Sequence, residues 1–434
     1  MYVLSTHFAD ALPELAVAAT PSRVETPQLV TLNDQLAREL NLSPDFLRSD
    51  DGLQWLLGAG HQPVAMAYAG HQFGQFNPTM GDGRAVLLGE RHGRDIHLKG
   101  SGPTPLSRGG DGYASLGPML REYLVSEAMH ALGIPTTRSL AVISTGRARF
   151  NGEPGAVLVR VASSHIRVGT FQLARLHSED LLERLFDFTA ERHYPNHSTV
   201  ELLRSFAVRQ AKLIATWMRV GFIHGVMNTD NMALSGETID YGPCAFLDRF
   251  EPQACFSSID THGRYAYQNQ PRIMMWNLAR FAEALLPLLP SMDAATSALE
   301  LAGETYSHTL TEEFADALGL PGEVKATDDF MRLMESERPD LTLLFRTYYD
   351  TGELPEAFQQ WGETWWRPEI PPTPTYIPRN AHLHRALERA VGGDMTAYLT
   401  MLEAVTHPYT ADARFRGLEG PGEEIAGFQT YCGT

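Results

Sequence analysis

Apolar and polar positions change their rhythm twice along this 434-residue chain. Up to about residue 60, short helix-spaced runs such as 32–40 alternate with loops, which predicts an extension wrapped on a first lobe. No chemistry is assigned to it. From Gly81 to Lys99 the period drops to that of strands. Residues 85–88 are an apolar run, Arg91-His92-Gly93-Arg94 a turn, and residues 95–99 alternate; together they predict a hairpin. Gly117-Pro118 then opens a helix with Leu120, Leu124, Ala128 and Leu132 on one face, closed by Gly133. Residues 137–143 and 156–161 predict two further strands, completing a small sheet with one helix. Beyond Phe171 the spacing becomes helical. Leu203, Phe206, Ala207, Ile214, Trp217 and Met218 form a core stripe that delivers the chain to Gly221-Phe222-Ile223-His224. Further helices are predicted over 273–286, 299–318 and 382–391.

Residues 224–240 read His-Gly-Val-Met-Asn-Thr-Asp-Asn-Met-Ala-Leu-Ser-Gly-Glu-Thr-Ile-Asp. The runs 232–234 and 238–240, separated by Ser235-Gly236-Glu237, predict a short hairpin with Asn231 and Asp240 at its open end. An amide oxygen and a carboxylate there suit Mg²⁺, a hard cation that borrows the rest of its shell from phosphates and water. In a kinase catalytic loop an Asp base follows a His-Arg or His-Gly pair, and a metal-binding Asn comes five residues after the base. Here His224-Gly225 is present and Asn231 stands at the metal position, but the base position holds Val226, which cannot accept a proton. Either the chain is an inactive relative or Asp230 substitutes. The same Asn228, Asp230 and Asn231 are also ordinary turn formers. His224 reads as a structural anchor.

Charge and cysteine content narrow the partners. Lys and Arg number 35 against 52 Asp and Glu, a net charge of -17 that argues against nucleic acid or a membrane surface. Cys244, Cys255 and Cys432 are too few and too scattered for a disulfide scaffold or a zinc site, which favours a reducing compartment. The first residues lack a basic start followed by an apolar run, so a cytoplasmic protein is expected. No apolar stretch is long enough for a bilayer; the run starting at Ala284 is broken by Pro287 and closed by Pro290. The proline-rich residues 368–378, beside Trp365 and Trp366, predict an ordered surface loop.

A local cationic pocket remains compatible with that balance. Gly81-Asp82-Gly83-Arg84 at the hairpin entry would let backbone N–H groups approach a phosphate, and Lys99 ends the second strand. A strand lysine followed by a helix glutamate, Glu122 or its rival Glu127, is the kinase pairing that fixes a phosphate-binding lysine. Arg108-Gly109-Gly110-Asp111-Gly112-Tyr113 is too rich in glycine for a helix and is read as a loop folding over a ligand. Arg160 and Arg167 would grip a polyphosphate, since guanidinium forks match its oxygens. Read singly, each of these is also a plain turn or surface charge.

Taken together, the ordered series Gly70-His71-Gln72-Phe73-Gly74, Gly81-Asp82-Gly83-Arg84, Leu98-Lys99-Gly100, Gly109-Gly110-Asp111-Gly112, Arg121-Glu122, residues 224–231 and Ile239-Asp240-Tyr241-Gly242-Pro243 resembles the selenoprotein O (SelO, or YdiU) family. The resemblance implies an α+β, protein-kinase-like bilobal fold with an N-terminal extension (1–60), an N-lobe (61–165), a C-lobe core (166–290) and a helical C-terminal extension (291–434). It implies transfer of AMP from ATP to Ser, Thr or Tyr hydroxyls of proteins, with the nucleotide inverted relative to ordinary kinases. ATP contacts are then expected at Gly81, Gly83, Arg84, Lys99, Asp111, Gly112, Arg160, Arg167 and Asp240. Asp230 would be the proton acceptor, Asn231 and Asp240 the ligands of Mg²⁺ or Mn²⁺, and Glu122 the support of Lys99. Inversion makes chemical sense: attack at the α-phosphorus in line with departing pyrophosphate buries the β- and γ-phosphates against a cationic interior. The family also carries selenocysteine or cysteine where Cys432 stands; a redox pairing with Cys255, in a segment analogous to an activation loop, is one reading, and a burial-driven role for Cys255 is the favoured one. Two rivals stand beside this reading: a small-molecule or protein phosphotransferase, and a catalytically silent ATP-binding pseudokinase module.

Overall fold

Nine strands form one antiparallel sheet in this computed structural model, which describes residues 2–150, 152–365 and 373–431. They are β1 (Ala16–Ala18), β2 (Gln28–Leu32), β3 (Val64–Gln72), β4 (Gln75–Gly81), β5 (Ala85–Arg91), β6 (Arg94–Lys99), β7 (Ala114–Ser115), β8 (Arg138–Ala148) and β9 (Pro154–Ala162). Their order is β1-β3-β5-β6-β9-β8-β2, with β4 paired to β3 and β7 to β9. The expected hairpin is β5–β6, turning at His92-Gly93. The sheet is larger than the sequence pattern predicts. β1 and β2 come from the region read as an extension without strands, and β3 carries mixed small residues that alternation does not mark.

Each face of the sheet has its own cover. Along β9, Val157, Val159 and Val161 point to an outer layer with Val86, Leu88, Ile96 and Leu98. That layer is sealed by Leu36, Leu40, Leu47, Leu53 and Trp55 from three short helices, α2 (Asp34–Glu39), α3 (Pro44–Arg48) and α4 (Asp50–Leu56), which follow α1 (His7–Ala11). Each such buried aliphatic contributes roughly 1.5–3 kcal/mol relative to exposure. The opposite face, through Leu87, Val142 and Leu158, packs on Met119, Leu120 and Leu124 of α5 (Leu116–Ala131).

The second half of the described chain is helical. It comprises α6 (Val168–His177), α7 (Glu179–His193), α8 (Thr199–Val220), α9 (Gln270–Leu285), α10 (Met292–Ala317), α11 (Val324–Glu337), α12 (Leu341–Thr351), α13 (Glu356–Trp365), α14 (Asn380–Val391) and α15 (Thr396–Thr406). The predicted stripe on α8 is buried throughout, and the helix starts at a reciprocal Ser198–Glu201 capping box and ends at Gly221 in the left-handed region. No helix among the described residues is long and apolar enough to cross a membrane. Of the predicted proline-rich loop, residues 368–372 lie outside the described residues, as do Trp366 and Cys432.

The predicted hairpin over 232–240 is absent. Ala233 bridges Arg167 and Thr238 bridges Thr136, so the two runs pair with different segments rather than with each other. Val168 N–H donates to Met232 O (2.9 Å), and Thr238 N–H to Pro135 O (2.9 Å). Backbone groups this buried must be paired, and flanking chain reaches them better than a three-residue turn allows.

Candidate active site

The alternation of β6 sets the site's floor. Ile96 and Leu98 face the outer layer, so Asp95, His97 and Lys99 face inward. His97 stands opposite Arg160 in register, which brings that arginine to the same face. Lys99 Nζ donates to Glu122 Oε2 (2.7 Å) and to Asp240 Oδ1 (2.6 Å). Arg160 Nε donates to Glu122 Oε1 (2.8 Å), and its Nη2 bonds the same oxygen. The expected Lys99–Glu122 pair is therefore present. The rival Glu127 instead takes Arg138 (2.8 and 2.6 Å) and Asn33 (2.7 Å). Burial pushes the Glu122 and Asp240 carboxyls up, but Arg160 and Lys99 hold both below the usual range, Asp240 far below it.

The segment from His224 to Cys244 hangs between two paired strands, β10 (Phe222–Ile223) and β11 (Ala245–Phe246). His224 Nε2 bonds Ile239 O (2.9 Å) while Nδ1 accepts from Val226 N–H (3.3 Å), so the ring ties the two ends of the segment together as an anchor. Asp230 sits in a single 3₁₀ turn, Thr229–Asn231. The β3–β4 hairpin tip is fastened onto this turn: His71 N–H donates to Thr229 Oγ1 (2.7 Å) and Phe73 N–H to Asn228 Oδ1 (3.1 Å). A Cβ at Gly70 would stand 3.0 Å from Asp230 Oδ1, so glycine there leaves the carboxylate its room. Asp230 is 7% exposed and its buried Oδ1 has no hydrogen-bond partner. Burial pushes its carboxyl up to about 6, against the pull of Arg167, whose Nη1 donates to Asp230 O (2.7 Å).

These groups wall a cleft of about 320 Å³. Gly81, Gly83, Arg84, Lys99, Asp111, Gly112, Arg160, Arg167, Asp230 and Asp240 all line it, so ten of the residues singled out from sequence converge. The glycine-rich loop does fold over the cleft. Its neck closes where Gly102 N–H donates to Gly112 O (3.0 Å), and a Cβ on Gly112 would fall 2.1 Å from Gly102 backbone. Asp111 lies at the exposed rim, paired with Arg149 (2.9 Å). Asn231 is not brought to the wall: its Nδ2 donates to Val226 O (3.0 Å), and it borders a small cavity behind the cleft with Trp217, Met227 and Asn277.

Sequence reasoning missed Tyr68 and His97, which also line the cleft, and gave Asp82 and Arg108 no role of their own within the motifs it singled out. The signal for His97 was available, because residues two apart on a strand share a face with Lys99. Cys255 is half-buried, its Sγ bonds Asp260 Oδ2 (3.4 Å), and burial with Asp260 pushes the thiol up to about 11. Thr430 N–H donates to Phe256 O (2.8 Å) and Ser258 N–H to Thr430 O (2.9 Å), so the chain just before Cys432 runs beside the Cys255 segment.

The chain matches the family described as protein adenylyltransferase SelO over residues 3–356. It is 47% identical to a protein nucleotidyltransferase YdiU of Mycolicibacterium smegmatis, over 99% of this chain and 98% of that one. It is 47% identical to the protein of the same description from Corynebacterium efficiens (100% and 96% covered) and 46% identical to that of Pseudarthrobacter chlorophenolicus (99% and 98%).

Proposed function

This chain belongs to the SelO family and is a nucleotidyltransferase, and from that premise we propose that it moves AMP from ATP to Ser, Thr or Tyr hydroxyls of proteins, on a kinase-like bilobal frame. In this reading residues 61–165 are the N-lobe and 166–290 the C-lobe core. Residues 1–60 wrap the first, 291–434 extend the second, and the enzyme works in the reducing cytoplasm.

The observation that carries the reading is Asp230: a buried carboxylate with an unpartnered oxygen, in a cleft that also brings together Lys99, Arg84, Arg160, Arg167 and Asp240. The acceptor oxygen attacks the α-phosphorus, its proton passes to Asp230, and the bond to the β-phosphate's bridging oxygen breaks to release pyrophosphate. A base with a carboxyl at about 6 is largely ionised at neutral pH yet still accepts a proton readily. Lys99 and the two inner arginines stabilise the charge that collects on the leaving pyrophosphate. Glu122 holds Lys99 and Arg160 in place rather than touching the nucleotide.

A divalent cation suits the donor set. Asp240 and Asp230 offer hard oxygens to the cleft, while Asn231 stands behind it with its amide nitrogen committed to Val226. Asp240 would hold Mg²⁺, joined by Asn231 once its amide leaves Val226 and turns to the cleft; the ion's contribution when bound is to neutralise the triphosphate. Incubating the purified enzyme and a cell extract with ATP labelled at the α-phosphorus should label proteins, and γ-label should leave as pyrophosphate. Protein or small-molecule labelling from γ alone would establish a phosphotransferase instead.

A further inference from the structure

We propose that Asp82 is a positioning residue for nucleotide transfer: it holds the Arg167 guanidinium toward the cleft, and His97 holds Asp82. The inference rests on the reading that Arg167 contacts the nucleotide.

Arg167 precedes α6 and reaches the cleft on a long side chain. Three groups grip its guanidinium. Nη1 donates to Asp230 O (2.7 Å), Nη2 faces Asp82 Oδ1 (3.8 Å), and the ring of Tyr68 lies beneath it at 4.8 Å. Asp82 is itself fixed from behind. Its Oδ2 accepts from Met66 N–H (3.2 Å) and from His97 Nε2 (2.9 Å). The His97 ring stacks on His165 (centroids 4.2 Å apart), whose Nδ1 meets Asp95 Oδ2 (3.1 Å), and Asp95 Oδ1 takes Arg192 on α7 (2.6 Å). A run of buried acids and imidazoles thus backs one arginine of the cleft.

Such a run is a poor device for stability, because desolvating its charges offsets most of what their attraction returns, and apolar residues of similar size would serve the fold as well. What it does supply is a fixed direction for Arg167. An arginine that is ordered before its ligand arrives loses less side-chain freedom on binding. Asp82 also balances the Arg167 charge while the cleft holds no phosphate.

The test measures the ATP dissociation constant by calorimetry on the full chain, with kcat and the thermal midpoint alongside. Asp82→Asn should weaken ATP binding about 10- to 30-fold, the loss of one close charged partner of Arg167, and should lower kcat as well, because Arg167 also steadies the leaving pyrophosphate. In an Arg167→Ala background Asp82→Asn should weaken binding no further, since groups that act through one another are not additive. His97→Gln, which keeps an N–H for Asp82, should bind ATP within about threefold of the parent, and His97→Leu should behave like Asp82→Asn. If Asp82→Asn does not fold, the His97 pair decides. Additive losses in the double variant, equal affinities for His97→Gln and His97→Leu, or a lowered thermal midpoint with unchanged ATP affinity would each overturn the proposal. Calorimetry needs no turnover, so an enzyme that binds ATP without transferring AMP would sink the proposed function and leave this cycle readable.

Discussion

In the proposed mechanism Asp230 is the base, and its pH behaviour follows from burial. The carboxyl is raised from 3.8 to about 6, so transfer should rise with pH through about 6 and level off above, as a pH–rate profile would show. The same shift works against the fold. Below about 4 the carboxyl is protonated in both states; between about 4 and 6 the folded form keeps a proton the unfolded chain has lost, so stability falls as pH rises through that window. Asp230→Asn removes that penalty. It should lower kcat by about 10²–10⁴, the usual reach of general-base catalysis, while denaturant unfolding at pH 7.5 shows a gain of about 1–3 kcal/mol. A variant that loses both activity and stability would contradict the assignment. Asp230 was singled out from sequence as the candidate substitute for Val226, but its burial against Gly70 of β3 was not, because that contact joins residues 160 positions apart.

Lys99, Glu122 and Arg160 belong to three elements, β6, α5 and β9, and meet only because sheet register and helix packing bring them together. Glu122→Gln would leave two cations sharing Asp240 alone. Breaking a buried pair from one side costs roughly 3–5 kcal/mol, so a clear fall in thermal midpoint should accompany a loss of kcat. Ser198→Ala provides the contrast. It removes the cap of α8 and should cost about 1 kcal/mol with kcat unchanged. At this scale the β5–β6 hairpin, α5 and the α8 stripe were readable from local pattern. The hairpin over 232–240 was misread because period and turn residues cannot say which neighbour a short run will pair with, and Arg167 and Thr136 outcompeted the local partner.

In the molecule as a whole, the N-terminal sixty residues serve as more than an extension. They add β1 and β2 to the sheet and cover its outer face with Leu36, Leu40, Leu47 and Trp55. Deleting residues 2–60 would expose Val86, Leu88, Leu98, Val157 and Val159 as one apolar patch beside a bare strand edge. The truncated chain is expected to aggregate on expression, and a soluble, monomeric, ATP-binding product in size-exclusion chromatography would refute that role. The site then depends on this cover indirectly, because Asp95, His97 and Lys99 face inward only while Ile96 and Leu98 are held outward.

Residue order alone marked ten residues that meet in one cleft. Glycines, a lysine, arginines and carboxylates of the required types stand in a recurring order, and that order survives in one dimension. Local periodicity also determined most helices and the central hairpin, since those depend on neighbours a few positions away. Tertiary structure alone decided which face each strand buries, that Arg160 shares Glu122 with Lys99, that Asn231 bonds Val226 instead of facing the cleft, and that Asp82 and His97 back Arg167. Those outcomes arise from contacts between distant segments competing for the same buried donors and acceptors, a competition that no window along the chain contains.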